Sequence, residues 1–247
     1  MKIIPEALLF DMDGTLTEAR QPIVNEIVEV LSNIKTGIKR HLVTGSDFEK
    51  VEQQIPTSLL LKLFDRVYTC NGTRVYNCNL DMDNEALPIE PELIHKVSLI
   101  DHYSEADITH IINTLLKTAS ETHTKVKTGT FVEWRDSQIN FSVLGRNCTQ
   151  AQREDYIKWD KKSGERKKIM EQLRSEFKGW GLSFRLGGQI SIDITREGWD
   201  KSYAFENMIE TPDQCIFFGD KICQDGNDLD IAMKCASYHN VDSPADL

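Results

Sequence analysis

The sequence predicts an α/β chain whose parallel-sheet domain is interrupted by an α+β insertion. An apolar run, Ala7-Leu8-Leu9-Phe10, ends at Asp11-Met12-Asp13-Gly14 and is followed by a helical pattern and a second apolar strand. Strand, helix and strand over roughly 40 residues form a βαβ unit, which makes a parallel sheet. Residues 91–194 instead read as helix pairs with antiparallel strands, the pattern of a separate α+β module. From Asp200 the chain returns to helix, buried strand and helix.

The first helix is expected over Pro22–Ile34, where Ile23, Ile27, Val30, Leu31 and Ile34 fall on one face. Arg40–Thr44 is the second strand, and Ser46 or Asp47 can cap the helix after it. Ser58–Phe64 reads as a short helix, Val67–Cys70 as a third strand, Asn71-Gly72 as a turn and Arg74–Cys78 as the start of a hairpin. The polar stretch Asn79–Glu85 places a boundary, giving a core over 1–84 and 196–247 and a cap over 85–195. Asp81-Met82-Asp83 does not open a calcium loop, because Ala86 stands where such a loop needs glycine. Within the insertion, Pro91–His102 and Ser104–Glu121 are expected as helices, and Lys125–Gly145 as strands flanking Asp136-Ser137. Thr149–Lys158 and Lys162–Phe177 read as helices, and Leu182–Leu186 with Gln189–Ile194 as a hairpin across Gly187-Gly188. Asp200–Met208, Cys215–Phe218, Asn227–Lys234 and Ala236–Val241 complete the core as helix, strand, helix and strand.

Composition narrows the function. The chain has 247 residues, 40% hydrophobic and 28% charged, which is ordinary for a globular protein with a sizeable core. A net charge of −10 argues against a nucleic-acid partner, since phosphate backbones demand basic surfaces. It does not forbid a small anionic substrate in a local basic pocket. No apolar run reaches transmembrane length, so no membrane partner is expected. The N-terminal apolar stretch is broken by Pro5 and Glu6 and does not read as a signal peptide. The six cysteines form no CxxC pair and read as reduced thiols of a cytoplasmic protein.

The chemistry gathers at strand ends, where parallel sheets bind ligands. Asp11 and Asp13 end the first strand, Thr44 and Ser46 the second, and Asp220 follows Phe217-Phe218 with Asn227 and Asp228 just beyond. Such carboxylates suit an oxygen-liganded Mg²⁺, with Asp11, the Asp13 backbone carbonyl and Asp220 as the first expected ligands and Asn227 and Asp228 beside them. A carboxylate beside that ion can attack a phosphoryl group, so Asp11 is the expected nucleophile and Asp13 the acid/base. Lys201 and a hydroxyl, from Thr44 or Ser46, would hold the transferring group.

Asp11-Met12-Asp13-Gly14-Thr15-Leu16-Thr17 resembles the nucleophile motif of the haloacid dehalogenase (HAD) superfamily of phosphotransferases. From about Leu8 to Asp242 the chain further resembles the eukaryotic-type phosphomannomutase family of that superfamily. The likeness rests on that motif, Gly45-Ser46-Asp47-Phe48, Gly129-Thr130-Phe131 with Trp134-Arg135, and Gly145-Arg146-Asn147-Cys148 with Arg153. It continues through Gly187-Gly188-Gln189-Ile190-Ser191-Ile192-Asp193, Gly198-Trp199-Asp200-Lys201, Phe217-Phe218-Gly219-Asp220-Lys221 and Asn227-Asp228.

The resemblance implies a HAD-like Rossmannoid core with an α+β cap that sets substrate specificity. It implies conversion of mannose 6-phosphate to mannose 1-phosphate and back through an aspartyl-phosphate, in GDP-mannose supply. Mg²⁺, a hexose 1,6-bisphosphate activator and a homodimer through the cap come with it. Arg135, Arg146 and Arg153 would grip the phosphate distal to the reacting end, as arginine forks do. Ser191 and Asp193 would contact the sugar, and Arg20 joins the substrate-binding set. Thr44 stands where the family usually has glycine, a pattern more typical of HAD phosphatases. A Mg²⁺-dependent sugar phosphatase is therefore the alternative, and a sugar-phosphate-binding protein without catalysis is a third reading.

Overall fold

The computed structural model describes residues 5–79, 90–224 and 226–247. In chain order its strands and α-helices are β1 (Ala7–Phe10), α1 (Asn25–Ser32), β2 (Lys39–Val43), α2 (Phe48–Gln54), α3 (Thr57–Leu63), β3 (Arg66–Thr69), β4 (Arg74–Asn77) and β5 (Glu92–Lys96). Then come α4 (Glu105–Glu121), β6 (Val132–Trp134), β7 (Gln138–Phe141), α5 (Gln150–Ser163), α6 (Glu165–Glu176), β8 (Leu182–Gly187), β9 (Ser191–Arg196), β10 (Cys215–Gly219), α7 (Leu229–Ala232) and β11 (Ser237–Asn240). The chain divides into two units, Met1–Lys96 with Trp199–Leu247, and Val97–Gly198. The segment Asp81-Met82-Asp83 and the boundary expected at 84–85 lie outside the described residues.

The first unit is built on a seven-stranded sheet of order β11-β10-β1-β2-β3-β4-β5. The pairs β10–β11, β1–β10, β1–β2 and β2–β3 are parallel, and β3–β4 and β4–β5 are antiparallel. Successive side chains of a strand point to opposite faces. Phe10, Leu42 and Val67 accordingly pack with Ile27, Leu31, Val51 and Leu60 on one face. Leu9, Val43, Tyr68 and Phe217 pack with Ala204 and Ile231 on the other. Cover on both faces explains why the central strands β1 and β10 read as largely apolar runs.

Register places the site. Phe10 is level with Leu42 and with Phe218, so the three strand ends stand side by side. Asp11 donates its backbone N–H to Phe218 O at 2.9 Å and continues that alignment.

The second unit has a four-stranded antiparallel sheet of order β6-β7-β9-β8, with the expected β8–β9 hairpin. Two of its helices, α4 and α5, start at side-chain caps: Ser104 accepts from Asp107 N at 3.2 Å and Thr149 from Gln152 N at 3.3 Å. Each cap saves a helix-end donor from going unpaired. Ile139, Phe141, Phe184, Ile192 and Ile194 are buried, and Phe184 stacks on Phe177 of the chain after α6.

The expected helix over Pro91–His102 is corrected. Residues 92–96 form β5, paired antiparallel with β4, and only Leu99–Asp101 is helical, as a 3₁₀ turn. Leu93, Ile94, Val97 and Ile100 satisfy a helical period, but the free edge of β4 offers backbone partners that local pattern does not register. The segment after Asp200 is also a 3₁₀ helix, Lys201–Asn207. Among the described residues no helix is long and apolar enough to cross a membrane.

Candidate active site

Asp11 lies just past β1 and is 4% exposed. Lys201, at the start of its 3₁₀ segment, donates from Nζ to Asp11 Oδ1 and to Asp228 Oδ1, the latter at 2.5 Å. The Lys201 and Asp228 side chains are fully buried. Carboxylate oxygens of Asp11, Asp220 and Asp228 lie within 4.8 Å of one another. The buried Asp11 and Asp228 carboxylates hold one buried ammonium between them, and burial and charge together move the proton affinities of Asp11 and Lys201. Burial is the largest influence on Asp11; Lys201 opposes it, the Asp228 charge adds to it, and the carboxyl is pushed up to about 7. Burial alone would lower Lys201, but Asp11 and Asp228 outweigh it and keep the ammonium above its ordinary range.

Asp228 is committed on both oxygens, since Oδ2 also accepts from Lys221 N at 3.0 Å. Asp220 is not: Oδ2 pairs with Lys221 Nζ at 2.5 Å, while Oδ1 is buried without a hydrogen-bond partner. That orphaned oxygen, facing a site of other carboxylates, fits a divalent cation. Gly14 is shaped by the same group. It has φ +95°, and a Cβ there would lie 2.5 Å from Asp220 Oδ2. The glycine of the Asp-Gly turn thus makes room for a carboxylate from another strand end. Asn227 is exposed beside Asp228.

Asp13 is half-buried and stands outside that carboxylate group; its Oδ1 accepts from the backbone N–H of Arg20 at 3.3 Å. Arg20 is exposed with φ +66°, so its described contact comes from the backbone. Thr44 is buried, and its hydroxyl oxygen accepts from Ser46 N at 3.1 Å, while Ser46 is half-buried. Asp47, rather than Ser46, caps α2, accepting from Lys50 N at 3.0 Å.

In the second unit, Arg135 donates to Glu133 Oε2 through Nε at 2.8 Å and through a terminal nitrogen. Arg146 pairs with the same oxygen at 3.3 Å and donates to Asn140 Oδ1 at 2.7 Å. Asn140 donates onward to Asp193 Oδ1 at 2.5 Å. Arg135, Arg146 and Asp193 therefore share one polar network over β6, β7 and β9. Arg153 is buried on α5, and Ser191 is buried at the start of β9. Sequence reasoning missed Glu133, Asn140 and Arg166. Glu133 and Asn140 face each other across the β6–β7 hairpin, so its pairing was the available signal. Arg166 carried none, since its partners lie on α5 and the β8–β9 turn.

The fold class follows from structures of the same architecture. A haloacid dehalogenase-like hydrolase from Bacteroides thetaiotaomicron matches with a TM-score of 0.57, 14% identity, and 94% of this chain and 86% of that one covered. The Plasmodium falciparum IMP-nucleotidase matches with a TM-score of 0.62 and 14% identity over 97% of this chain and 58% of that one. The core and its inserted unit thus have the haloacid dehalogenase-like fold.

Sequence comparison goes further. The family described as "Eukaryotic phosphomannomutase" matches residues 27–247. A "Probable phosphomannomutase" of Caenorhabditis elegans is 38% identical, with 97% of this chain and 91% of that protein covered. The "Phosphomannomutase" of Galdieria sulphuraria is 37% identical (96% and 90%), and "Phosphomannomutase 1" of Homo sapiens is 35% identical (96% and 87%). The chain belongs to the eukaryotic phosphomannomutase family.

Proposed function

We infer that this chain is a phosphomannomutase that interconverts mannose 6-phosphate and mannose 1-phosphate with Asp11 as the phosphoryl carrier. The observation that carries the reading is the buried Asp11 held by Lys201, in a chain of this family. Asp11 attacks phosphorus, the bond to the sugar oxygen breaks, and Asp13 donates a proton to that oxygen. Phospho-Asp11 is then attacked by the free hydroxyl of a hexose monophosphate, Asp13 takes its proton, the Asp11 carboxylate is released, and the bisphosphate so formed turns so that Asp11 can take its other phosphate. Lys201 orients Asp11 and supports the transferring group, and the hydroxyl of Thr44 or Ser46 donates to a phosphoryl oxygen.

The donor set fits Mg²⁺, with Asp11, Asp220 and the Asp13 backbone carbonyl as ligands. Asn227 and Asp228 stand beside them, and Asp228 has its oxygens engaged elsewhere. When bound, the ion neutralises charge that develops on the phosphoryl oxygens. A hexose 1,6-bisphosphate activator follows from the chemistry, because an unphosphorylated Asp11 has nothing to give to a monophosphate. Arg135, Arg146 and Arg153 take the second phosphate of the bisphosphate, Ser191 and Asp193 the sugar, and Arg20 lies on the Asp13 loop. Catalysis belongs to the first unit and substrate recognition to the second.

Homodimerisation through the second unit is supported by its exposed Ile100, Leu116 and Trp159. Cytoplasmic residence is supported by six free cysteines. The alternative, a sugar phosphatase, is favoured by Thr44 alone. Incubation with Mg²⁺, mannose 1-phosphate and glucose 1,6-bisphosphate, following mannose 6-phosphate and free phosphate together, separates the two. The mutase yields isomer with little free phosphate; free phosphate without isomer ends the mutase reading.

A further inference from the structure

The β8–β9 turn carries Ser191 and leads to Asp193, and it is tightly built. A Cβ on Gly187 would lie 2.2 Å from Asp193 Oδ2, so this turn packs directly on the carboxylate. Arg166 reaches the turn from α6. Its Nη1 donates to Gly188 O and to Ser191 O, each at 3.2 Å, so the two carbonyls that bracket the turn share one nitrogen. Asp160 of α5 holds the same guanidinium: Arg166 Nε donates to Oδ2 at 2.7 Å, and the Arg166 backbone N–H donates to Oδ1 at 2.9 Å. The two side chains are 13% and 11% exposed. Asp160 thus locks a flexible side chain at the α5–α6 bend before it spans to the turn. A buried pair of this kind is weak evidence for stability, because desolvation offsets the attraction. It is good evidence for geometry, since a planar fork meets the carboxylate from one nitrogen and the two carbonyls from another, whereas an ammonium would have to reach all three from a single atom.

We propose that Arg166, oriented by Asp160, is a positioning residue for sugar recognition, setting the β8–β9 turn so that Ser191 and Asp193 meet the hexose in one geometry. The proposal rests on reading Ser191 and Asp193 as sugar contacts. Asp193 itself is held by Asn140, which donates to its Oδ1, while Arg166 holds the Gly188 and Ser191 carbonyls of the turn that precedes it.

The test is steady-state kinetics on the full-length protein with mannose 1-phosphate, saturating Mg²⁺ and glucose 1,6-bisphosphate, for R166M, R166K and D193N and for R166M combined with D193N. R166M raises KM about tenfold with kcat changed by less than about threefold, as misplaced contacts do. R166K also raises KM, and it answers the same question if R166M does not fold. In the D193N background R166M raises KM by a smaller factor than in wild type, because the part of its effect that runs through Asp193 is already lost and only the part through Ser191 remains. A wild-type KM in R166K overturns the proposal, as does an R166M effect that multiplies fully with that of D193N. A D193N enzyme with unchanged KM removes the sugar-contact reading itself, and this proposal with it.

Discussion

In the first unit the charges are sealed in: Lys201 and Asp228 are fully buried side chains, and Asp11 is nearly so. In the second unit the Arg146–Glu133 pair meets water, with side chains 20% and 36% exposed, although Arg153 is buried. The difference fits the chemistry proposed for each. Burial strengthens every charge interaction around Asp11 and moves its proton affinity, which suits bond making and breaking. In the proposed function the arginine network exchanges one anion for another at every turnover. There Glu133 keeps Arg135 and Arg146 oriented, and partial exposure keeps the cost of exchange low.

Four measurements break or sharpen this contrast. The largest effect is expected from Asp11→Asn, which removes the nucleophile and leaves isomer formation at least ~10⁴-fold down, while the circular dichroism spectrum stays native. Retained activity in that variant would sink the phosphoryl-carrier mechanism. Lys201→Met comes next. It strands Asp11 and Asp228 without their shared cation, and chemical denaturation should register a loss of about 3–5 kcal/mol together with loss of turnover. A Lys201→Met protein as stable as wild type would mean the buried cluster is not held by its charge pairing.

Arg146→Ala should behave as a second-unit change. Losing a charged hydrogen bond of about 1.5–3 kcal/mol predicts a KM roughly 10–100-fold higher with kcat reduced less. Its melting temperature should move little, because a partly exposed pair contributes about 0–1 kcal/mol. Melting that falls as far as in Lys201→Met would erase the distinction between the units. The smallest effect concerns Glu210. Its hydrogen bond from His41, at 3.2 Å, holds the carboxyl below the usual glutamate range. A depressed acid adds stability above its unfolded value and loses it as pH falls through the folded value. Melting temperatures from pH 7 down to 3 should therefore converge for wild type and Glu210→Gln, with the variant lower only at the neutral end. A constant offset across that range would contradict the linkage.

Much of the architecture was legible in the residues, for physical reasons. Ala7–Phe10 and Cys215–Gly219 are buried on both faces, so they read as continuous apolar strands. Gly187-Gly188 read as a hairpin turn because paired glycines punctuate strands, and the structure adds that Gly187 passes too close to Asp193 to carry a side chain. β5 was not legible, since an edge strand with Leu93 and Ile94 exposed has no buried face to impose a period of two. Glu133, Asn140 and Arg166 were not legible either. Their importance lies in partners on other elements, and a local pattern carries no record of those.

The sequence by itself determined the chemistry on offer at Asp11, Asp13, Lys201 and Asp220, because carboxylates and an amine at strand and helix ends are a local matter of residue type and turn. The tertiary structure decided which partners those groups meet. Only the parallel register of β1 with β10 puts Asp220 where Gly14 must lack a side chain. Only burial turns the Asp11–Lys201–Asp228 set from three ordinary charges into one coupled group. Residue identity sets which bonds can form, and the exclusion of water sets how strongly each one counts.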